Sequence, residues 1–203
     1  PETVTINVKN GNTVADTYNL TANDKKVVGT VEDANTWVHV FSLPVVDDLG
    51  NEITYTVEEE CDSIFYSSEV GSIDANTNMA TITNTFSVPD DKINLTVVKT
   101  WDDNNNAAGK RPTSIQVQLY ADNTARGEAV TITNSNWSTV FNNLPVYKEN
   151  GDVIAYTVRE VNSNNIYYSE KSNVLNTETN TITITNEFDV PGEKINLTVV
   201  KAW

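Results

Sequence analysis

The chain has 203 residues, with 28 acidic against 13 basic side chains, a net charge of −15 and a pI near 4.3. A surface this acidic repels phosphate backbones and anionic lipid heads, which argues against nucleic-acid binding and membrane-surface roles. The lone cysteine, Cys61, allows no internal disulfide, and no apolar run approaches the length of a spanning helix.

From the N-terminus onward, helical periodicity is nearly absent. VTINV (Val4–Val8), ITYTVEE (Ile53–Glu59), SIQVQLY (Ser114–Tyr120) and TITITNEF (Thr181–Phe188) alternate apolar with polar residues and favour β-branched side chains. Asn, Asp and Gly clusters separate them. This pattern predicts an all-β sandwich or barrel.

An internal repeat is superimposed on the strands. TITNTFSVPDDKINLTVVKTW (Thr81–Trp101) returns as TITNEFDVPGEKINLTVVKAW (Thr183–Trp203). Between these anchors NTWVHVFSLP (Asn35–Pro44) matches SNWSTVFNNLP (Ser135–Pro145), and GNEITYTVEE (Gly50–Glu59) matches GDVIAYTVRE (Gly151–Glu160). A period of this length is a domain rather than a solenoid turn. Pro1 aligns with Pro112, which follows KINLTVVKTWDDNNNAAGKR in its own unit. The expected organisation is a domain over 1–89 lacking its first strand, a complete domain over 90–190, and the first strand of a following repeat over 191–203. SVPDD and DVPGE read as junctions.

Side chains alternate faces along a strand. In LTVVKTW, Leu95, Val97, Lys99 and Trp101 share a face. In TITNEF, Ile184, Asn186 and Phe188 do, and in AYTVRE, Tyr156, Val158 and Glu160. A lysine, an asparagine and a glutamate thus each occupy a core-facing position, where an unpaired charge or amide is costly. Glu59, Asn84 and Lys201 repeat the pattern. Two bland readings stand beside a reactive site: solvated residues near strand ends, and a buried Lys–Glu pair with an asparagine alongside.

VVKTWDD, GKRP, NWSTVFNNLP, YTVRE and ITNEF, in that order, resemble the CnaB (collagen-adhesin B-type) repeats of Gram-positive surface adhesins and pilins. The resemblance implies tandem Ig-like, transthyretin-like Greek-key β-sandwiches. It also implies a spontaneous amide between a first-strand lysine and a last-strand asparagine or aspartate, assisted by a buried glutamate. Carried over by motif, these are Lys99, Asn186 and Glu160. The first-unit counterparts are Asn84 and Glu59. That unit has no VVK lysine of its own, and Lys9 alternates away from Val4, Ile6 and Val8. Lys201 is then a candidate donor between molecules.

The chemistry such a site requires follows from its surroundings. An apolar core lowers the basicity of a lysine and yields a neutral amine. A carboxylic acid kept protonated there polarises the carboxamide and passes a proton to the departing ammonia. The event occurs once per molecule, so it is self-modification and not enzymatic turnover.

His39 and Cys61 belong to no feature that both units share. The turn Asp102–Asn106 reads as solvated acidic residues rather than a calcium loop, and neither a metal site nor a cofactor is expected. Trp37 and Trp137 are expected to begin matched strands. The predicted role is a stalk or spacer of a cell-wall-anchored adhesin or pilus, whose partners are neighbouring repeats, including head-to-tail strand donation. The competing reading is a module that grips host matrix protein or glycan through the 11-residue excess near Asn23–Lys26.

Overall fold

The computed structural model describes residues 2–28, 31–161, 165–192 and 196–202. Glu193, Lys194, Ile195 and Trp203, part of the expected following strand and its junction, lie outside the described residues. Every regular element among the described residues is a strand. The chain divides into two compact units, Pro1–Pro89 and Asp90–Trp203.

In the first unit, β1 (Thr3–Asn10) lies between β2 (Thr13–Thr21) and β5 (Tyr55–Glu60), antiparallel to both. Its Val4, Ile6 and Val8 alternate into the interior and are buried. β3 (Lys25–Val28) pairs with β4 (Val31–Trp37), and β6 (Tyr66–Val70) with β7 (Ile82–Phe86).

The second unit packs two sheets into a sandwich. In one sheet, β9 (Ser114–Ala121) pairs with β10 (Thr124–Ala125), β11 (Val130–Thr133) and β13 (Tyr156–Val161). The other sheet has the order β12-β8-β15-β14, formed by Ser138–Pro145, Lys92–Asp102, Thr181–Phe188 and Tyr168–Asn176. β8 runs antiparallel to β12 but parallel to β15, so the first and last strands of the unit are direct neighbours. Leu95 and Val97 of β8, Val117 and Leu119 of β9, Val158 of β13 and Ile182 and Ile184 of β15 interdigitate between the sheets. Fully burying each such side chain contributes about 1.5–3 kcal/mol.

Shared turns show the repeat in three dimensions. Gly50 N donates to Asp47 O and Gly151 N to Lys148 O, both at 2.9 Å, with φ of 82° and 87° at the two glycines. Only glycine adopts that backbone conformation without strain. Further on, Tyr55 Oη donates to Pro44 O at 2.8 Å, and Tyr156 Oη to Pro145 O at 2.9 Å.

One expectation is corrected. Trp37 ends β4 instead of beginning a strand, and Val38–Pro44 belongs to none, whereas the matched Ser138–Pro145 is β12. The cause is tertiary. β12 is a strand because β8 supplies its hydrogen-bond partners, and no strand plays that part for Val38–Pro44 among the described residues. The region near Asn23–Lys26 holds the turn between β2 and β3 and the start of β3. Asp24 closes it by accepting from Thr21 N at 2.8 Å and Tyr18 Oη at 2.9 Å.

Candidate functional site: a lysine, a glutamate and an asparagine in the core of the second unit

Three strands deliver the polar residues. β8 brings Lys99 inward in the row of Leu95 and Val97, and β15 brings Asn186 inward after Ile182 and Ile184. β13, from the opposite sheet, brings Glu160 after Tyr156 and Val158. Register places Lys99 opposite Ile184 and Asn186 opposite Trp101, two steps along.

The side chains meet. Lys99 and Asn186 are each only 3% exposed. Glu160 Oε2 accepts from Asn186 Nδ2 at 3.0 Å and stands 3.8 Å from Lys99 Nζ. Lys99 Nζ also donates to Thr100 O at 3.1 Å and lies 4.3 Å from the centre of the Trp101 ring. Burial lowers the Lys99 pKa to about 8, against the smaller opposing pull of the Glu160 and Glu170 carboxylates. Asn186 Oδ1 is buried with no hydrogen-bond partner. The trio therefore holds a weakened base, an acid–base group and an unsatisfied carboxamide.

The first unit repeats two of the three. Asn84 Nδ2 donates to Glu59 Oε1 at 2.7 Å, while Glu59 Oε2 is buried and unpartnered. Lys9 does not join them, because it forms an ion pair with Glu58 on β5. Lys201 is exposed and belongs to no strand. His39 stacks on Tyr18 with ring centres 3.5 Å apart, and Cys61 stands just beyond β5.

The acidic turn is not uniformly solvated. Asp103 is 8% exposed and accepts from Arg111 Nε, Tyr168 Oη and Asn106 N, each at 2.9 Å. The Arg111 guanidinium leads in holding its pKa down at about 2. Asn104, Asn105 and Asn106 all have positive φ, which curls the backbone so that the carboxylate turns inward. Asp102, level with Glu187 on β15, pairs instead with Lys171, which lies 3.6 Å from Glu187 and offsets that like-charge juxtaposition. No group of three or more metal-ligating side chains occurs among the described residues.

Comparison with known proteins agrees with this architecture. The profile of the Cna protein B-type domain matches residues 1–85 and 95–187. The collagen adhesin of Staphylococcus aureus is 34% identical over 185 residues, covering 87% of this chain but 14% of the adhesin. The crystal structure of a single B repeat unit of the collagen-binding surface protein of S. aureus superposes with a TM-score of 0.44. The identity is 30%, over 93% of this chain and 88% of that one. The pilus backbone protein of Streptococcus pneumoniae gives 0.37 at 18% identity, over 92% and 68% of the two chains. With nearly its whole length matched in two successive segments, the chain belongs to the Cna protein B-type domain family.

Proposed function

We propose that these units are stalk or spacer repeats of a cell-wall-anchored Gram-positive adhesin or pilus protein, and that the second is locked by an amide between Lys99 and Asn186. The observation that carries this reading is the burial of Lys99, Glu160 and Asn186 against one another on the first strand, an opposing strand and the last strand. A buried trio of this kind costs stability unless it is used.

The reaction needs Lys99 as the free amine, and desolvation brings its pKa down to about 8, so more of it takes that form near neutrality. Rotating the Asn186 amide turns the orphaned Oδ1 towards Glu160, where a proton carried on the carboxyl gives it a donor and makes the carbonyl carbon more electrophilic. Nζ attacks Cγ. The new C–N bond forms, the Cγ–Nδ2 bond breaks, and the proton shed by the amine passes through Glu160 to the leaving ammonia. Rigid strands hold the groups together, replacing concentration with proximity.

A tie between first and last strands does for this cysteine-poor chain what a disulfide does elsewhere, and tandem copies supply length. Intact mass is the test. A chain one ammonia lighter than its sequence, with a Lys99–Asn186 tryptic crosslink, is expected; the unmodified mass refutes the bond.

A further inference from the structure

The acidic turn of the second unit carries a buried ion pair that the amide chemistry does not use. Arg111 Nε and Nη2 donate to Asp103 Oδ2 and Oδ1 at 2.9 and 2.5 Å, and Tyr168 Oη donates to Oδ2 at 2.9 Å. The loop fastens the same pair through its backbone: Asn106 N donates to Asp103 Oδ1 at 2.9 Å, and Arg111 N to Asn106 Oδ1 at 3.0 Å. An ion pair this buried gains little over apolar packing of the same volume, so its position is the informative feature. Both groups that Asp103 grips also lie against Trp101. The Arg111 guanidinium carbon is 5.6 Å from the centre of that ring, and the Tyr168 ring meets it edge-on with centres 4.9 Å apart.

Trp101 is the partition between solvent and the reacting amine. It lines a cleft of about 510 Å³ together with Glu160, Asn186 and Tyr168. Lys99 does not line it. Its side chain is 0% exposed, against 9% for Glu160, and its Nζ lies 4.3 Å from the centre of the Trp101 ring. A buried indole is ordinarily oriented by its N–H. Trp101 Nε1 is buried without a hydrogen-bond partner, so packing against Trp137, Tyr168 and Arg111 sets the ring.

We infer that Asp103, Arg111 and Tyr168 form a clamp that holds the Trp101 ring across Lys99, and that through Trp101 they keep cleft water off the amine that attacks Asn186. Asp103 and Arg111 touch none of the reacting atoms and act as positioning residues. Burial is the largest influence on the Lys99 pKa and outweighs the pull of the Glu160 and Glu170 carboxylates on an ammonium there. Arg111, against the same ring, opposes that ammonium as a like charge. A ring released from the clamp lets water in, restores the ammonium and slows the attack. The inference rests on the Lys99–Asn186 reading.

Full-length chain dissolved unlinked in urea and diluted into buffers spanning about pH 6 to 11 tests it, with the loss of one ammonia timed by mass spectrometry. The wild-type rate should rise with pH and level off above about 8. Arg111→Lys keeps the charge but loses the planar, two-pronged hold on Asp103. It should move the rising limb upward by about 1 in pH and slow the reaction about 10-fold near neutrality. Asp103→Asn should do the same. Trp101→Ala should shift the limb at least as far, and Trp101→Phe, which keeps a ring there, should return it towards the wild-type position. A cooperative melt confirms that each chain is folded, and the two Trp101 variants read the ring independently of the clamp. Folded Arg111→Lys that reacts more slowly at every pH with its limb unmoved reduces the cluster to a structural role and overturns the inference, as does a Trp101→Ala limb coincident with the wild type. A wild-type chain that loses no ammonia at any pH overturns the bond itself. Loss from the wild type with unmoved limbs in the variants overturns the clamp alone.

Discussion

Asn186 Nδ2 donates to Glu160 Oε2 at 3.0 Å and leaves Asn186 Oδ1 with no partner, so the glutamate touches the very amide that Lys99 would attack. Glu160→Gln keeps the shape of the site but removes proton transfer. The variant is expected to fold with its second unit unlinked and its mass unchanged from the sequence, or to react at least ~100-fold more slowly. Full crosslinking at the wild-type rate refutes the role.

The bond should dominate the stability of the second unit. Closing a loop from Lys99 to Asn186 is worth about 4–5 kcal/mol by loop-closure entropy. Lys99→Ala should therefore lower the melting temperature of that unit by roughly 20 °C, and limited proteolysis should turn rapid. An unchanged melting curve removes the covalent tie from the account.

Asn186→Ala prevents the bond while retaining both charged partners, which exposes the titration of Lys99. Its folded pKa, about 8, lies below the ordinary lysine value of 10.5, so the unfolded chain binds more protons between those values. Stability of the variant should rise with pH across that window and level off above it. Urea midpoints that stay flat or fall there place Lys99 in solvent.

Asp103 supplies the opposite sign. Its folded pKa of about 2 is depressed from 3.8, so its contribution is present above 3.8 and lost as pH falls through about 2. Asp103→Asn should cost about 3 kcal/mol by breaking the buried pair with Arg111 and weakening the bond from Tyr168, and should flatten that acid limb. Wild-type acid sensitivity in the variant counts against the cluster.

Strand alternation put Lys99, Asn186 and Glu160 on core-facing positions, where they interrupt rows of side chains that are otherwise apolar, and the family motifs singled them out as a set. The role of Asp103 was hidden for the converse reason. DDNNN has the composition of a solvated turn, and only three consecutive left-handed asparagines bring the carboxylate round to Arg111. The basic residue in GKRP was the available signal. NTWVHVFSLP misled because its alternation matches a strand, whereas strand formation depends on a neighbour that lies far off in sequence. The parallel pairing of β8 with β15 is a property of topology, and periodicity is silent on it.

That pairing also sets how each unit responds to being pulled. Force entering at Lys92 and leaving at Phe188 acts along two parallel neighbours from opposite ends, so it shears their ladder instead of peeling it. With Lys99 joined to Asn186, the path through the unit shortens to a few residues of each strand, and everything between them is excluded from extension. In the first unit Lys9 pairs with Glu58 instead of joining Asn84 and Glu59, so no equivalent tie is seen among its described residues. Unravelled, its 89 residues release roughly 300 Å of slack. Under the proposed tie, the second unit is a rod that cannot lengthen, whereas the first remains a link that can.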